Sequence, residues 1–180
     1  MRVILASSSP RRAALLKELI DDFEIIHPLC EENTKEILPD KAAMELAVKK
    51  AEEVFKNIDG DRNAVIIACD TIVCFNGEIL KKPKNYDEAY ATLKKLNAKE
   101  HCVYSGVCVI VGGEKRVFCD CSKVLFKRNS EEEIRGYIVR YKPFDKAGAY
   151  GIQDDALVER CEGSVNNVIG LPTEKLKLFI

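Results

Sequence analysis

The sequence has no apolar run that approaches the length of a membrane-spanning helix. Such a helix needs about 18 or more consecutive apolar residues, whereas the short run at the start of the chain ends at Ala6, before three serines. That run is also too short for the core of a signal peptide, and we interpret it as a first strand. We therefore expect a cytoplasmic protein without a membrane partner.

An excess of positive charge is absent as well. The 28 Lys and Arg residues are balanced by 29 Asp and Glu residues, which gives a formal net charge of -1. Global charge therefore does not favour sequence-independent binding to nucleic acid, although a local basic patch stays open as an alternative. The chain also lacks internal repeats, low-complexity tracts and flexible linkers, so its 180 residues predict a single domain over 1–180, built as one body or as two lobes.

The cysteines never show the C-x-x-C spacing of common zinc and redox sites. The closest two, Cys119 and Cys121, are separated by one residue. Most lie in strand-like runs, where cysteine behaves as a small hydrophobic residue, so we expect reduced structural thiols in a reducing compartment. A zinc site is the alternative. The eight are Cys30, Cys69, Cys74, Cys102, Cys108, Cys119, Cys121 and Cys161.

The hydrophobic pattern predicts alternating strands and helices, followed by a long hairpin. The predicted strands cover residues 2–6, 23–27, 64–69, 72–75, 78–80, 101–111 and 116–126, with two short strands near 156–161 and 165–169. The predicted helices cover residues 11–20, 40–56 and 87–96 with Asp87 as a cap, a stretch after the Ser130–Glu133 capping box, and a last helix from Thr173. This order indicates an α/β fold with a mixed twisted sheet and flanking helices.

Residues 7–12, Ser-Ser-Ser-Pro-Arg-Arg, form the first candidate binding site. Ser9 is a good N-cap and Pro10 a good first helical residue, so unpaired backbone N–H groups and the helix dipole would meet an anion there. Arg11 and Arg12 can fork onto phosphate oxygens, and together these groups suit a polyphosphate. The alternative is a capped helix with two solvated arginines. The segment is not a Walker A loop, because it lacks that motif's glycines and lysine.

Asp70 is the second candidate. It interrupts a continuous apolar run, since it follows residues 64–69 and is soon followed by 72–75. We place it at the carboxyl end of a central strand, where α/β proteins position catalytic groups. A buried carboxylate needs a metal, a cation or water as its partner. The alternative is an Asp that caps a turn or pairs with an arginine.

Lys50 is the third candidate because it lies where an apolar residue would be expected. It is four residues from both Leu46 and Val54, so it falls in the apolar stripe of the second helix. It either extends its ammonium group to water or reaches into a cleft to meet phosphate.

Two further segments could complete a pocket. Lys81 and Lys82 precede Pro83 after the predicted hairpin, and they bind phosphate or form a solvated basic turn. Residues 145–153 contain two glycines that permit close approach to a ligand, and Gln153 could read a base edge through its amide donor and acceptor. An ordered surface loop is the alternative for this segment.

These segments resemble the signatures of the Maf family. Residues 5–12 are similar to its L-A-S-x-S-P-R-R opening, and residues 68–73 to its A-D-T-V-V block with Cys69 inserted. Residues 145–153 match D-K-A-G-A-Y-G-I-Q without a change. Three shorter segments are similar to the family's G-K-P, H-x-V-x-T-G-V and N-V-x-G-L-P motifs and follow in the same order along the chain. Lys81 stands in place of the glycine and Ser105 in place of the threonine.

The resemblance implies a nucleoside triphosphate pyrophosphatase that gives a nucleoside monophosphate and pyrophosphate. It also implies a divalent cation, Mg²⁺ or Mn²⁺, and an elongated two-lobed fold with a central cleft, related to Ham1 and the inosine triphosphate pyrophosphatases. The expected partners are the nucleoside triphosphate and, in a homodimer, a second copy of the chain.

Site residues follow from the same resemblance. The general base falls on Asp70, which would hold the metal together with Glu32. The positions that discriminate between substrates fall on Arg12, Thr71 and Gln153, a set that resembles the branch acting on dTTP and UTP, with CTP and modified pyrimidine nucleotides as further candidates. We expect the triphosphate to lie against Ser9 at the helix start, with its charge neutralised by Arg11, Arg12, Lys50 and Lys82.

Two other functions stay open at this point. The chain could be a non-enzymatic regulator of cell division and septum formation that binds nucleotide or nucleic acid through the same basic groups. A binder has no need for a carboxylate such as Asp70 among its cations, because without a metal that carboxylate would repel a triphosphate. Hydrolysis of damaged purine triphosphates is a third alternative, which rests on fold analogy alone.

Overall fold

One mixed sheet of seven strands organises the protein, of which the computed structural model describes residues 2–180. The strands are β1 (Arg2–Ala6), β2 (Glu24–Ile26), β3 (Ala64–Phe75), β4 (Glu78–Leu80), β5 (Glu100–Val111), β6 (Glu114–Phe126) and β7 (Val158–Glu162). The helices are α1 (Pro10–Lys17), α2 (Pro39–Asn57), α3 (Tyr86–Leu96), α4 (Glu131–Tyr141), α5 (Val165–Ile169) and α6 (Thr173–Leu176), with short 3₁₀ turns at Ala147–Ala149 and Ile152–Asp154. The strand order is β2-β1-β3-β5-β6-β7, and β4 pairs with β3 beside this path.

The sheet combines a parallel part with an antiparallel part. β1 pairs in parallel with both β2 and β3, whereas β3, β5, β6 and β7 pair with one another in antiparallel fashion. The prediction of an α/β fold with a mixed sheet and flanking helices is therefore confirmed.

β3 is one continuous strand, so the predicted break at Asp70 is wrong. Asp70 and Thr71 keep the ladder intact because they pair with Gly106 and Ser105 of β5. The neighbouring strand β1 ends opposite Ala68, and β4 begins its pairing only at Val73. Asp70 therefore lies in the middle of its own strand but just beyond the end of its parallel neighbour, and that gap at the β1 edge gives access to the side chain.

Helix α2 lies across the sheet on the face that carries Asp70. Its predicted apolar stripe is buried, and Lys50 is buried with it, at 5% exposure. Gly106 permits the close approach of helix and sheet, because a Cβ at this position would lie 2.3 Å from the carbonyl carbon of Ala43. Because the helix lies this close to the sheet, the Lys50 side chain reaches β3.

The segment 165–169 is a helix, although its apolar residues predicted a strand. The Ser164 side chain accepts a hydrogen bond from Asn167 N and caps the helix, and Gly170 follows its last residue with a φ of 135°. A capping serine and a terminal glycine thus determine the structure of this short apolar run. Only one strand, β7, remains in this part of the sheet, and it begins at Val158.

Two other helices have ends that differ from the prediction. Helix α1 ends at Lys17 rather than at Ile20, because the next residues form a turn in which Leu19 N donates to Leu16 O. Helix α3 is capped by the Asn85 side chain, which accepts from Glu88 N, so Asp87 lies inside the first turn and is not the cap.

The strongest local signals are confirmed. Asn76 and Gly77 form the turn between β3 and β4, both with positive φ. Ser130 and Glu133 form the predicted capping box at the start of α4. Among residues 2–180, no helix is long and apolar enough to cross a bilayer.

Candidate active site

A cleft of about 730 Å³ opens where β1 ends and β3 continues. Its walls come from the β1–α1 connection, the loop before α2, the end of β4 and the segment 145–153. The structure brings every predicted site residue to this one cleft. They are Ser9, Arg11, Arg12, Glu32, Lys50, Asp70, Thr71, Lys82 and Gln153.

A cluster of two carboxylates and two lysines lies at the α2 side of the cleft. Lys50 Nζ is 2.6 Å from both Asp70 Oδ1 and Glu32 Oε1, and Lys82 Nζ is 3.3 Å from Glu32 Oε2. Partial burial raises the pKa of the Glu32 carboxyl, but the hydrogen bonds and charges of Lys50 and Lys82 outweigh it and hold this pKa at about 2. Glu32 is therefore ionised at any ordinary pH.

Asp70 is buried, at 8% exposure, yet only half of its carboxylate is engaged. Oδ1 accepts from Lys50, whereas Oδ2 has no hydrogen-bond partner within residues 2–180. A buried carboxylate with one committed and one available oxygen is held in place and can still accept a proton or bind a cation.

Arg11 connects the first predicted motif to the loop 145–153. Its Nη1 is 2.7 Å from Asp145 Oδ2, and Lys146 Nζ is 2.9 Å from the other oxygen of that carboxylate. Partial burial raises the pKa of Asp145, but the hydrogen bonds and charges of Arg11 and Lys146 lower it to about 2. The pair therefore holds the start of α1 against the opposite wall of the cleft.

Arg12 differs from the other cations because all its hydrogen-bond partners are neutral. Nε donates to Gly170 O at 2.8 Å, Nη2 to Thr71 Oγ1 at 3.1 Å and Nη1 to Ser7 Oγ at 3.4 Å. Ion pairs fix Arg11, Lys50 and Lys82, whereas none within residues 2–180 involves Arg12. Its full positive charge is thus both positioned and available to an anionic ligand.

The turn that carries Gln153 is held by Tyr137, a residue that sequence reasoning did not single out as part of the site. Tyr137 of α4 donates from its hydroxyl to Asp154 Oδ2 at 2.5 Å and accepts from Gly151 N at 2.9 Å. A Cβ at Gly151 would lie 2.8 Å from Gln153 Nε2, so a side chain there would displace the Gln153 amide from this position. The sequence pattern indicated only that Tyr137 lies on the apolar face of a helix.

The two carboxylates that share Lys50 are the residues of the cleft that could hold a divalent cation. Glu32 and Asp70 offer hard oxygen ligands close together, and Mg²⁺ is typically bound through one or two carboxylates plus substrate phosphates and water. Within residues 2–180, no group of three or more His, Cys, Asp or Glu side chains could hold a metal. The remaining ligands would therefore come from the substrate and from water.

Comparisons with known proteins show relatives along nearly the whole chain. The chain is 46% identical to the dTTP/UTP pyrophosphatase of Caldicellulosiruptor saccharolyticus, covering 99% of this chain and 93% of that protein. It is 43% identical to the dTTP/UTP pyrophosphatase of Clostridium perfringens, covering 98% and 94%. The Ham1 protein of Staphylococcus aureus shares the fold, with a TM-score of 0.51 at 16% identity over 70% of this chain and 72% of that one.

The family assignment rests on a match along the whole described chain. The sequence model of the Maf-like protein family covers residues 2–180, which include the cleft residues at its start, middle and end. By this match and by the identity to its relatives, the chain belongs to the Maf family.

Proposed function

We propose that the protein hydrolyses nucleoside triphosphates to the nucleoside monophosphate and pyrophosphate, with dTTP and UTP as its preferred substrates. The observation that carries this proposal is Asp70, whose buried carboxylate keeps Oδ2 available in a cleft lined by cations. The relatives at 46% and 43% identity are named dTTP/UTP pyrophosphatases, which supports the same reaction and substrates.

Asp70 favours an enzyme over a nucleotide-binding regulator. A protein that only binds a triphosphate gains nothing from a buried carboxylate among its cations, because like charges repel at short range. A hydrolase needs such a group to accept a proton from the attacking water. The comparisons offer no support for the regulator.

The cations of the cleft hold the phosphates. Arg12 contributes a charge that no carboxylate among residues 2–180 neutralises, and Arg11 and Lys82 line the same cleft. The start of α1, where Ser9 Oγ caps Arg12 N, adds backbone N–H groups that suit an anion. These groups orient the triphosphate and offset the charge that grows on the departing pyrophosphate.

Asp70 Oδ2 takes the proton from the water that attacks the α-phosphorus. The new bond joins the water oxygen to the α-phosphorus, and the bond between this phosphorus and the bridging oxygen breaks to release pyrophosphate. Lys50 fixes Asp70 through Oδ1 and partly offsets its charge. Asp70 and Glu32 would hold a Mg²⁺ or Mn²⁺ ion, which would supply further positive charge at the phosphates.

A substrate panel tests the reaction. We expect pyrophosphate release from dTTP and UTP with Mg²⁺ or Mn²⁺, and a loss of activity when a chelator removes the cation. Purine triphosphates, CTP and modified pyrimidine triphosphates complete the panel, with separate assays for pyrophosphate and orthophosphate. Release of orthophosphate instead of pyrophosphate, or a preference for purine triphosphates, would contradict the proposal.

A further inference from the structure

We propose that Ser105 is a positioning residue, which fixes the direction of the Thr71 hydroxyl proton and thereby makes Thr71 select bases that carry a ring N–H. This inference rests on the proposed function, because it concerns the choice of base by the same cleft. Ser105 itself is fully buried, at 0% exposure, and is not among the residues that line the cleft.

The proton of Ser105 points away from Thr71. Ser105 Oγ donates to Asn167 O at 2.9 Å, and a carbonyl oxygen can only accept. The N–H groups three and four residues further on, Gly170 N and Leu171 N, would meet that carbonyl in a helical pattern, but both donate to Asn166 O instead. Asn167 is fully buried, so its carbonyl oxygen needs the Ser105 hydroxyl.

Thr71 is therefore the donor in its hydrogen bond with Ser105. The two hydroxyl oxygens are 2.9 Å apart, on residues that lie opposite each other on β3 and β5. Because the only Ser105 hydroxyl proton is committed to Asn167 O, the Thr71 proton must lie between the two oxygens.

The second neighbour of Thr71 also constrains its hydroxyl. Arg12 Nη2 donates to Thr71 Oγ1 at 3.1 Å, and a guanidinium group can only donate. The Thr71 proton and one lone pair are thus both used by the protein. Since Thr71 lines the cleft, what it offers to a ligand is the remaining lone pair, which can only accept a hydrogen bond.

An acceptor at this position distinguishes between pyrimidine bases. Uracil and thymine carry N3–H, a donor, whereas cytosine has an unprotonated N3 that is itself an acceptor. An acceptor that faces N3 forms a hydrogen bond with uracil or thymine, whereas it meets the N3 lone pair of cytosine and forms none. Such an unmatched polar contact discriminates strongly between ligands in a buried site. The fixed direction of the Thr71 hydroxyl proton thus favours UTP and dTTP over CTP, although the three bases have the same pyrimidine ring.

Replacing Ser105 by Ala tests this inference. Without the Ser105 oxygen, the Thr71 proton can turn towards the cleft, and Thr71 can then donate to cytosine N3. We expect the ratio of kcat/KM for UTP to that for CTP to fall about tenfold, mainly through KM, since one net hydrogen bond is at stake. Ser105→Thr keeps a hydroxyl at the same position and is expected to retain the wild-type ratio.

Ser122→Ala is the matched control. Ser122 is also a fully buried serine next to the same segment, where its Oγ donates to Ser164 O and accepts from Asn167 Nδ2. Loss of the Ser122 hydroxyl removes these hydrogen bonds to α5 and its cap but leaves the hydrogen bonds of the Thr71 hydroxyl in place. We expect an unchanged UTP-to-CTP ratio in this variant.

Binding of UMP and CMP, measured by calorimetry, separates the failure of this inference from failure of the proposed function. If the wild type hydrolyses no triphosphate, the proposed function fails, whereas the UMP-to-CMP affinity ratio of wild type and Ser105→Ala still tests the role of Ser105. An unchanged ratio in Ser105→Ala, an equal fall in Ser122→Ala, or a wild-type preference for the cytosine nucleotide would overturn the inference.

Discussion

Replacing Asp70 by Asn is expected to lower kcat for dTTP by about 10³-fold, with a much smaller change in KM. The amide keeps the shape of the carboxylate but cannot take the proton of the attacking water, and general bases contribute about 10²- to 10⁴-fold to a rate. Lys50 keeps its second partner Glu32 at 2.6 Å, so the cluster is expected to stay assembled. Steady-state release of pyrophosphate in the presence of Mg²⁺ is the measurement.

Asp61→Asn provides the control for this substitution. Asp61 precedes β3 at the end of the strand remote from the cleft, and its Oδ1 accepts from Asn63 N, which an amide oxygen can also do. We expect wild-type kcat in this variant. Turnover of Asp70→Asn within a few-fold of wild type would show that another group accepts the proton.

Replacing Lys50 by Met is expected to lower the free energy of unfolding by about 3 kcal/mol in the absence of divalent cations. Removal of one partner from a buried ion pair typically costs about 3–5 kcal/mol, because the other charge stays buried without compensation. Asp70 is in that position, since its side chain is 11% exposed, whereas Glu32 at 47% exposure regains contact with water. Urea unfolding at neutral pH measures the difference.

Lys50→Met is also expected to reduce kcat/KM for dTTP by about 100-fold or more, because Asp70 loses the contact that orients it.

Mg²⁺ is expected to stabilise Lys50→Met more than wild type, since the ion would then offset the charges of both Asp70 and Glu32. Lys49→Met is the matched control for stability. Lys49 precedes Lys50 on α2, pairs with Glu45 and donates to Asn33 O, and its side chain is 38% exposed. Equal losses of stability in the two variants would contradict the role of Lys50.

Local signals in the sequence were sufficient for much of the fold. The Asn76-Gly77 turn and the Ser130–Glu133 box predicted the hairpin and the start of α4 because each depends on a few adjacent residues. The segment 165–169 was predicted wrongly because its apolar residues suit a strand, and the cap from Ser164 decided for a helix. The continuity of β3 through Asp70 depends on pairing with β5, some 35 residues further along the chain, which local patterns do not contain.

The candidate site could likewise be predicted only in part from the sequence. The residue pattern and the resemblance to the family together identified residues that line the cleft, but their partners depend on contacts between distant segments. Lys50 illustrates this, because its place in an apolar stripe was compatible with an exposed ammonium group until Glu32 and Asp70 proved to lie on either side of it. The roles of Ser105 and Tyr137 likewise follow from hydrogen bonds that no spacing in the sequence reveals.

Hydrolysis of dTTP in oxygen-18 water tests the central claim most directly. If Asp70 activates a water that attacks the α-phosphorus, mass spectrometry of the products will find one heavy oxygen in dTMP and none in pyrophosphate. The Asp70→Asn variant will form both products far more slowly. Heavy oxygen in pyrophosphate, or in released orthophosphate, would contradict the proposed reaction.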